Sequence, residues 1–469
     1  MHVYRITHVL YRFDSGLSMD AEGRVEKLLG DPRKAIVYMA IPILIALLVA
    51  QLNVLVDRMW CSGLGVDCLA ALAVAAPIYN VFVGLGSGLG VGASAVVSRM
   101  IGAKRKEDAS ACAAQSLVFA LIFGIACTPV VILIQGPLFE AIGAEDVLGL
   151  SMDYMTPFSL SILLLILNGT VSGILTGEGA TTQSTVMMVV LAFSNMVLDP
   201  VFIYWADMGI AGASVATIAS TLLSFLLGCH FLFSRKAYLG YARRSFRFDG
   251  AHMKSVVVAG VPQMLEYCVL YGMDAVLNFL VILCAGSEGL AIFSTPDRVI
   301  EAIVVPAMAV GSALVPVASS AYGQRNPERM SKAFGYSVKA GILSVAFLSL
   351  MLILFSEQVM TMFTYSDATV SYRPAMAEAM TILALYAPFY SFNPLCSGYL
   401  QALGHPEVSV VCAVLRNAVL ITFFYIAGQF SLQAIFWALF FGHVVGATII
   451  LVITRAVRNK VFRSINSSV

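Results

Sequence analysis

The sequence is poor in charge. Of its 469 residues only 12% are Asp, Glu, Lys or Arg, whereas 59% are hydrophobic. The mean hydropathy is +0.87. Soluble globular chains carry about 25% charged residues, so a soluble protein of this length would lack a polar surface. The net charge of +1 also provides no basic patch for phosphates, which argues against nucleic-acid binding. The composition predicts a polytopic membrane protein that contacts the lipid bilayer.

The sequence also lacks the motifs of enzymes and of metal or nucleotide sites. It has no HExxH, no paired DDxxD-type motif and no Walker sequence, and its nine cysteines form no CxxC pair. The run from Gly84 to Gly92 has GxGxxG-like spacing, but no strand precedes it. Close approach of helices explains this run better than a nucleotide. We therefore predict that the protein is not an enzyme and needs no cofactor.

Twelve apolar runs are long enough to cross a bilayer, because a spanning helix needs about 20 residues. The runs are 35–60, 68–97, 110–134, 152–176, 185–205, 208–233, 253–284, 289–318, 333–355, 373–402, 408–427 and 431–455. Residues 1–34 are rich in charge and lack the apolar core of a signal peptide. We interpret them as a cytoplasmic helical segment.

The basic residues predict the orientation in the cell membrane, because loops rich in Lys and Arg stay in the cytoplasm. Twenty-three of the 28 lie in five segments: 1–34, 98–109, 234–254, 321–332 and the residues after 454. With twelve spans all five segments fall on one side, so both termini are predicted to be cytoplasmic. An odd number of spans would place basic segments on both sides.

The two halves of the sequence resemble each other. Gly102 and Glu107 follow the second run as Gly323 and Glu328 follow the eighth, in both cases 221 residues apart. Six spans per half make the copies parallel, an arrangement found in transporters with a central cavity. A duplicated enzyme or scaffold is the alternative. The predicted parts are the N-terminal segment 1–34, an N-lobe over 35–233, a linker over 234–252, a C-lobe over 253–455 and a tail over 456–469.

Ionisable residues inside a span are costly and mark pathways or pairs. Asp199 lies six residues before Trp205, about 9 Å below the end of the fifth run, and Asn195 is one turn earlier on the same face. Such a carboxylate and amide can contribute oxygens to a cation site. The alternative is a buried polar pair that serves packing. Asp57 near the end of the first run is either part of such a site or an interfacial carboxylate beside Arg58.

In the second half, Glu266 either lines a substrate cavity or makes a helix–helix hydrogen bond. Arg298 and Glu301 are three residues apart on one helix and can pair, a mainly structural role. Arg416 lies about 12 Å inside the eleventh run, a depth from which its long side chain can reach the membrane surface.

Several motifs resemble those of the multidrug and toxic compound extrusion (MATE) family, of the prokaryotic and archaeal DinF-like type. The motifs are Gly102-Ala103 with a charged turn, Gly177-Glu178-Gly179, the N-x-x-x-D-P element from Asn195 to Pro200, and in the second half Arg298, Glu301, Pro306, Gly311 and Gly323-Gln324. The likeness covers about residues 35–455. It implies an all-α, V-shaped fold of twelve transmembrane helices in two pseudo-symmetric six-helix lobes. It also implies export of bulky, often cationic organic compounds in exchange for Na⁺ or H⁺ by alternating access.

The resemblance also implies a cation site in the N-lobe. The matching residues are Asp57, Asn195, Asp199 and Thr217, which would bind the coupling ion, including Na⁺ if the protein is sodium-coupled. Some archaeal members carry a tyrosine four residues before the first aspartate, where this chain has Asn53. This chain therefore has no tyrosine at that position to contact the aspartate, and Asn53 would add an oxygen on the face of Asp57.

The remaining candidates concern the substrate. The residues predicted to line its cavity are Asn53, Tyr79, Asn168, Glu266, Asp274, Arg298 and Glu301. The expected partners are a small organic cation, a monovalent cation and the bilayer, with the chain acting as a monomer. The alternative function is a flippase or exporter of a lipid-linked or amphipathic metabolite. A flippase for pyrophosphate-linked lipids would need several buried basic residues, and only Arg298 and Arg416 lie deep in a span.

Overall fold

The computed structural model describes residues 19–141, 145–234, 237–241, 243–364 and 370–467, which are helical almost throughout and include no strand. The helices are α1 (Ala21–Leu29), α2 (Pro32–Ser62), α3 (Val66–Gly102), α4 (Lys106–Ala141), α5 (Leu148–Gly177), α6 (Thr181–Pro200), α7 (Gly209–Leu232), α8 (Gly250–Gly286), α9 (Glu288–Gly323), α10 (Pro327–Leu354), α11 (Ser356–Phe363), α12 (Arg373–Tyr390), α13 (Phe392–Ala402), α14 (Pro406–Ala427) and α15 (Leu432–Ser467). The helices α8 and α9 meet at Gly286, whose positive φ of 65° ends the first of them.

Eleven helices among the described residues are long and apolar enough to cross a membrane. The tenth predicted span differs, because residues 373–402 form the two helices α12 and α13 with Ser391 between them. Pro394 explains the break, since it has no N–H to donate to the carbonyl of Tyr390 and its ring crowds that carbonyl. The spans form two lobes of six, α2–α7 and α8–α15, with α11 as a short additional helix.

The hairpin ends divide the molecule into two faces. The loops 103–105 and 324–326 and the described residues 237–241 and 243–249 lie at one end, which we call the basic end, and the opposite end is called the acidic end.

The glycine-rich run of α3 brings the two lobes together. A Cβ on Gly88 would lie 2.6 Å from the backbone N of Met264, and one on Gly92 would lie 2.4 Å from the Cα of Gly260. Real Cβ atoms do not approach backbone so closely, so only glycine permits this crossing of α3 and α8. Close helix packing is thus the structural role of the run, as its composition indicates.

The intervening glycines of the same run face the other way, into the N-lobe. A Cβ on Gly90 would lie 2.3 Å from the carbonyl oxygen of Gly169 on α5. The helix α3 is therefore fixed on one side to its own lobe and on the other to the C-lobe, and it lies at the centre of the molecule.

The lobes also meet at the basic end. Nη2 of Arg99, at the end of α3, lies 3.5 Å from the carbonyl oxygen of Gln401 and 3.4 Å from that of Ala402, and donates to them. These carbonyls are at the C-terminal end of α13, where the helix dipole attracts cations. The guanidinium also lies 4.7 Å from the ring centre of Tyr322 on α9. We call this set of contacts the Arg99 cap.

The N-terminal helix α1 contacts both lobes at the basic end. Asp20 caps it by accepting from the N–H of Gly23, and the helix buries Arg24, Val25 and Leu28. The carbonyl of Leu28 accepts a 2.6 Å hydrogen bond from Nη2 of Arg329 on α10. The segment predicted to be helical is therefore packed into the protein over these residues.

Glu178 lies in the turn after α5 and is 1% exposed. Its Oε2 accepts a hydrogen bond from the N–H of Leu239 over 3.3 Å. Burial raises the pKa of Glu178 to about 7, although the charge of Arg24 and the backbone N–H groups of Leu239 and Tyr238 oppose that rise. An ionised Glu178 is therefore unfavourable in the folded protein.

The substitution Glu178→Gln is expected to change how stability depends on pH. A carboxyl whose pKa is raised on folding stabilises the protein at low pH, and this contribution is lost as the pH rises from about 4.5 through about 7. Between pH 5 and pH 8 the melting temperature of the wild type should therefore fall by a few degrees relative to that of the variant, measured in detergent. Glu328→Gln, which changes an exposed glutamate at the same end, is the control. Its melting temperature should not rise relative to that of the wild type between pH 5 and pH 8. Parallel pH profiles for wild type and Glu178→Gln would contradict this account.

Candidate cation and substrate sites

Three of the four predicted cation ligands lie together where α6 ends. Nδ2 of Asn195 donates to Oδ1 of Asp199 over 2.9 Å, because the two residues are one turn apart. The same nitrogen donates to Oγ1 of Thr217 on α7 over 3.1 Å. Asn195 and Asp199 are almost completely buried. Pro200 ends the α-helix, and residues Val201–Trp205 continue as a π-helical turn.

Asp57 of α2 completes the predicted set. It lies close enough to Asp199 for the two charges to interact. Two carboxylates from different helices thus share one region of low solvation, which is unfavourable when both are ionised and no cation is bound.

Four oxygens in this part of the N-lobe have no hydrogen-bond partner among the described residues, although they are buried. They are Oδ1 of Asn53, Oδ1 of Asp57, Oδ1 of Asn195 and Oδ2 of Asp199. Buried polar atoms are nearly always satisfied, so such a group requires an explanation. Hard cations such as Na⁺ prefer oxygen ligands, and a proton on either carboxyl would likewise supply a donor. These four oxygens and Thr217 form what we call the N-lobe oxygen cluster.

Aromatic rings enclose the cluster. The ring centres of Tyr79 and Phe158 are 4.8 Å apart, and those of Tyr154 and Phe158 are 5.2 Å apart. The charge of Asp57 acts on both tyrosines, so the rings lie within reach of the carboxylates. Toward the acidic end, the hydroxyl of Tyr204 donates to the carbonyl of Trp60 over 2.5 Å. Apolar ring surface beside the carboxylates lowers the local polarity and so strengthens electrostatic interactions there.

Asn168, a predicted cavity residue, has a different place. Its Oδ1 accepts from Oγ of Ser224 over 3.0 Å, which joins α5 to α7 within the N-lobe. The structure thus places Asn168 in a helix–helix contact apart from the oxygen cluster.

A second polar site lies in the C-lobe. A cavity there is lined from α8, α9, α12, α13 and α14, and Val91 of α3 also borders it. Glu266 faces this cavity, and its Oε2 accepts from Oγ of Ser397 over 2.9 Å and from Oγ of Ser409 over 2.6 Å. Glu266 therefore makes the predicted helix–helix hydrogen bonds, which join α8 to α13 and α14, and it also borders a cavity. That this cavity holds the substrate stays a prediction.

Arg298 and Glu301 pair with each other over 3.1 Å, and their side chains are 64% and 44% exposed. They do not border the C-lobe cavity, and the pairing agrees with their spacing on one helix. That they line the substrate cavity stays a prediction. The side chain of Asp274 lies outside the described part of the structure.

Arg416 was not predicted as a site residue, yet it borders the C-lobe cavity and is 7% exposed. Its side chain therefore points into the lobe and does not extend to the membrane surface. The residue in the sequence that points to this buried position is Gly446, because a Cβ there would lie 2.6 Å from Cγ of Arg416. That glycine leaves room for the arginine inside the lobe.

Among the described residues no group of three or more His, Cys, Asp or Glu side chains has the arrangement of a metal site. Two six-helix lobes with buried polar sites in each define the class of integral membrane transporters. The family model for MatE matches residues 42–201 and 262–426. The chain therefore belongs to the MatE family, and the two matches start at the equivalent prolines Pro42 and Pro262.

Similar proteins agree with this family. The chain is 23% identical to "Multidrug export protein MepA" of Staphylococcus aureus (strain N315) over 438 aligned residues. The alignment covers 91% of this chain and 94% of the relative. A crystal structure of a MATE protein in complex with MaL6 is 30% identical with a TM-score of 0.90, covering 94% of this chain and 99% of that one. An outward-facing conformation of a multidrug resistance MATE family transporter is also 30% identical, with a TM-score of 0.89 and coverage of 93% and 98%.

Proposed function

We propose that the protein is a secondary antiporter that exports bulky organic compounds, cations among them, in exchange for Na⁺ or H⁺. It would act as a monomer in the cell membrane, with the basic end and both termini in the cytoplasm. The N-terminal segment 1–34, the lobes 35–233 and 253–455, the linker 234–252 and the tail 456–469 would be its parts. The names of its relatives support export of drugs, and the positive-inside rule supports the orientation.

The N-lobe oxygen cluster carries the proposal for ion coupling. It brings two carboxylates and two unpaired amide oxygens into a poorly solvated site. One monovalent cation would neutralise part of this charge and satisfy the buried oxygens. Because the ligands come from α2, α6 and α7, cation binding would favour the packing that holds these helices together.

Export would follow from competition between the ion and the substrate. A cation entering from the acidic end would favour one packing of the N-lobe and weaken the hold on the substrate. Separation of the lobes at the opposite end would then give alternating access. The closed basic end and the similarity to an outward-facing transporter support this order of events.

A lipid-linked flippase is the alternative, but the C-lobe cavity offers a pyrophosphate only one lysine or arginine among its described lining residues, Arg416. This single cation is too few for a head group with several negative charges.

Ethidium export tests the proposal. Inverted vesicles from cells that express the protein should accumulate ethidium when a gradient of Na⁺ or of H⁺ is imposed separately, and one of the two should drive most of the uptake. Vesicles from cells without the protein are the control. Uptake that does not depend on expression, or that neither ion affects, would contradict ion-coupled export.

A further inference from the structure

Three polar atoms around the C-lobe cavity are buried and have no hydrogen-bond partner among the described residues. They are Oε1 of Gln263, Oε1 of Gln401 and Nη1 of Arg416, whose side chains are 4% to 7% exposed. All three residues border the same cavity. Leaving such groups unsatisfied is unfavourable, so their convergence on one space points to a polar ligand.

The cavity contains opposite charges that do not neutralise each other directly. Glu266 and Arg416 interact electrostatically, but no ion pair within 4.0 Å joins them. Glu266 is instead held by Ser397 and Ser409. A carboxylate and a guanidinium that stay apart in one cavity can each bind the opposite end of a dipolar ligand.

The position of Arg416 is fixed by its neighbours. Its Nε and Nη2 donate to Oδ1 of Asn417 over 3.2 and 3.0 Å, and Nδ2 of Asn417 donates to the carbonyl of Val269 on α8. Gly446 leaves space for its methylene groups, and the ring centre of Tyr390 lies 5.9 Å from the guanidinium. Two of the three nitrogens are thus occupied, and the third is the unpartnered Nη1.

We propose that the C-lobe cavity selects zwitterionic organic compounds, binding a carboxylate at Nη1 of Arg416 and an ammonium group at the oxygens of Gln263 and Gln401, near Glu266. The inference rests on the proposed export function and gives the substrate class of its C-lobe site. A guanidinium binds a carboxylate strongly in a poorly solvated place. A compound with only a positive charge gains nothing from Arg416, so the N-lobe carboxylates serve that class better.

Binding to purified protein in nanodiscs tests this inference with three probes: norfloxacin, which carries a carboxylate and an amine, its methyl ester, which has lost the anion, and ethidium. Arg416→Met should weaken norfloxacin binding by about tenfold or more and leave the ester and ethidium within about twofold. Arg455→Met, which removes an exposed arginine of the same lobe that does not border the cavity, is the matched control and should leave all three affinities unchanged.

A second variant covers the case in which Arg416→Met does not fold. Gly446→Ala keeps the charge but forces Arg416 to move, since the new Cβ would lie 2.6 Å from its Cγ, so norfloxacin binding alone should weaken. Retained ethidium binding shows that either variant is folded. Wild-type protein that binds the ester as tightly as norfloxacin, or variants that weaken all probes equally, would overturn the inference. Wild-type protein that binds norfloxacin selectively but transports no probe would instead overturn the proposed export function.

Discussion

Replacing Asp199 by asparagine is expected to reduce ion-driven export to the level of cells that lack the protein. The substitution keeps the shape of the side chain and a hydrogen-bonding oxygen near Asn195, but it removes one of the two charges of the N-lobe oxygen cluster. With one carboxylate left, a cation is bound more weakly and the ion gradient no longer changes the packing of α2, α6 and α7. A fall of about tenfold or more in gradient-driven ethidium uptake is the expected result.

The matched control is Asp207→Asn. Asp207 lies eight residues further along, is exposed and has a positive φ of 54°, a conformation that asparagine tolerates as well as aspartate. This variant should transport at the wild-type rate, which separates loss of the buried charge from a general effect of losing an acid near α6. Full coupled export by both Asp199→Asn and Asp57→Asn would show that the cluster is not the coupling site.

The second large effect is expected from Gly92→Ala. The added Cβ would lie 2.4 Å from the Cα of Gly260, and neither atom belongs to a flexible side chain that can move aside. The helices α3 and α8 must therefore separate, which disrupts the contact between the lobes. Export should fall to the background level, because the closed packing of the basic end depends on this crossing.

Gly335→Ala provides the comparison. Gly335 is a helical glycine of α10 with no atom within 4 Å of the Cβ position, and alanine favours a helix by about 1 kcal/mol over glycine. This control should export normally and melt no lower than the wild type. Both variants gain the same helix propensity. Any loss of export in Gly92→Ala therefore comes from the disturbed crossing of α3 and α8. Wild-type export by Gly92→Ala, at equal amounts of protein in the membrane, would contradict the role given to α3.

Much of the fold is predictable because the bilayer imposes length and polarity on every span. The apolar runs follow from such rules, and so does the separation of the runs 253–284 and 289–318, between which the helices α8 and α9 meet. The division of the tenth span at Ser391 was missed, since the run from 373 to 402 remains apolar although Pro394 interrupts its hydrogen bonds. Hydropathy measures composition along a run and carries no information on its continuity.

The sites were predictable only in part, for a related reason. Spacing along one helix places Asn195 beside Asp199, whereas the approach of Asp57 from another helix came from family resemblance. The depth of Arg416 in its span gave its distance from the membrane surface but not the direction of its side chain. That direction depends on Gly446, 30 residues away, and on Asn417, whose contact with α8 forms only in the folded protein.

The Arg99 cap has a consequence for the cost of opening the basic end. Its partners are a guanidinium and backbone carbonyls, and each of them can bind water as soon as the lobes separate. Breaking the cap therefore exchanges one set of hydrogen bonds for another and leaves no group dehydrated, unlike the rupture of an apolar seam. The basic end is thus closed by polar groups that water can solvate, so it can close and open in each transport cycle with little net change in hydration free energy.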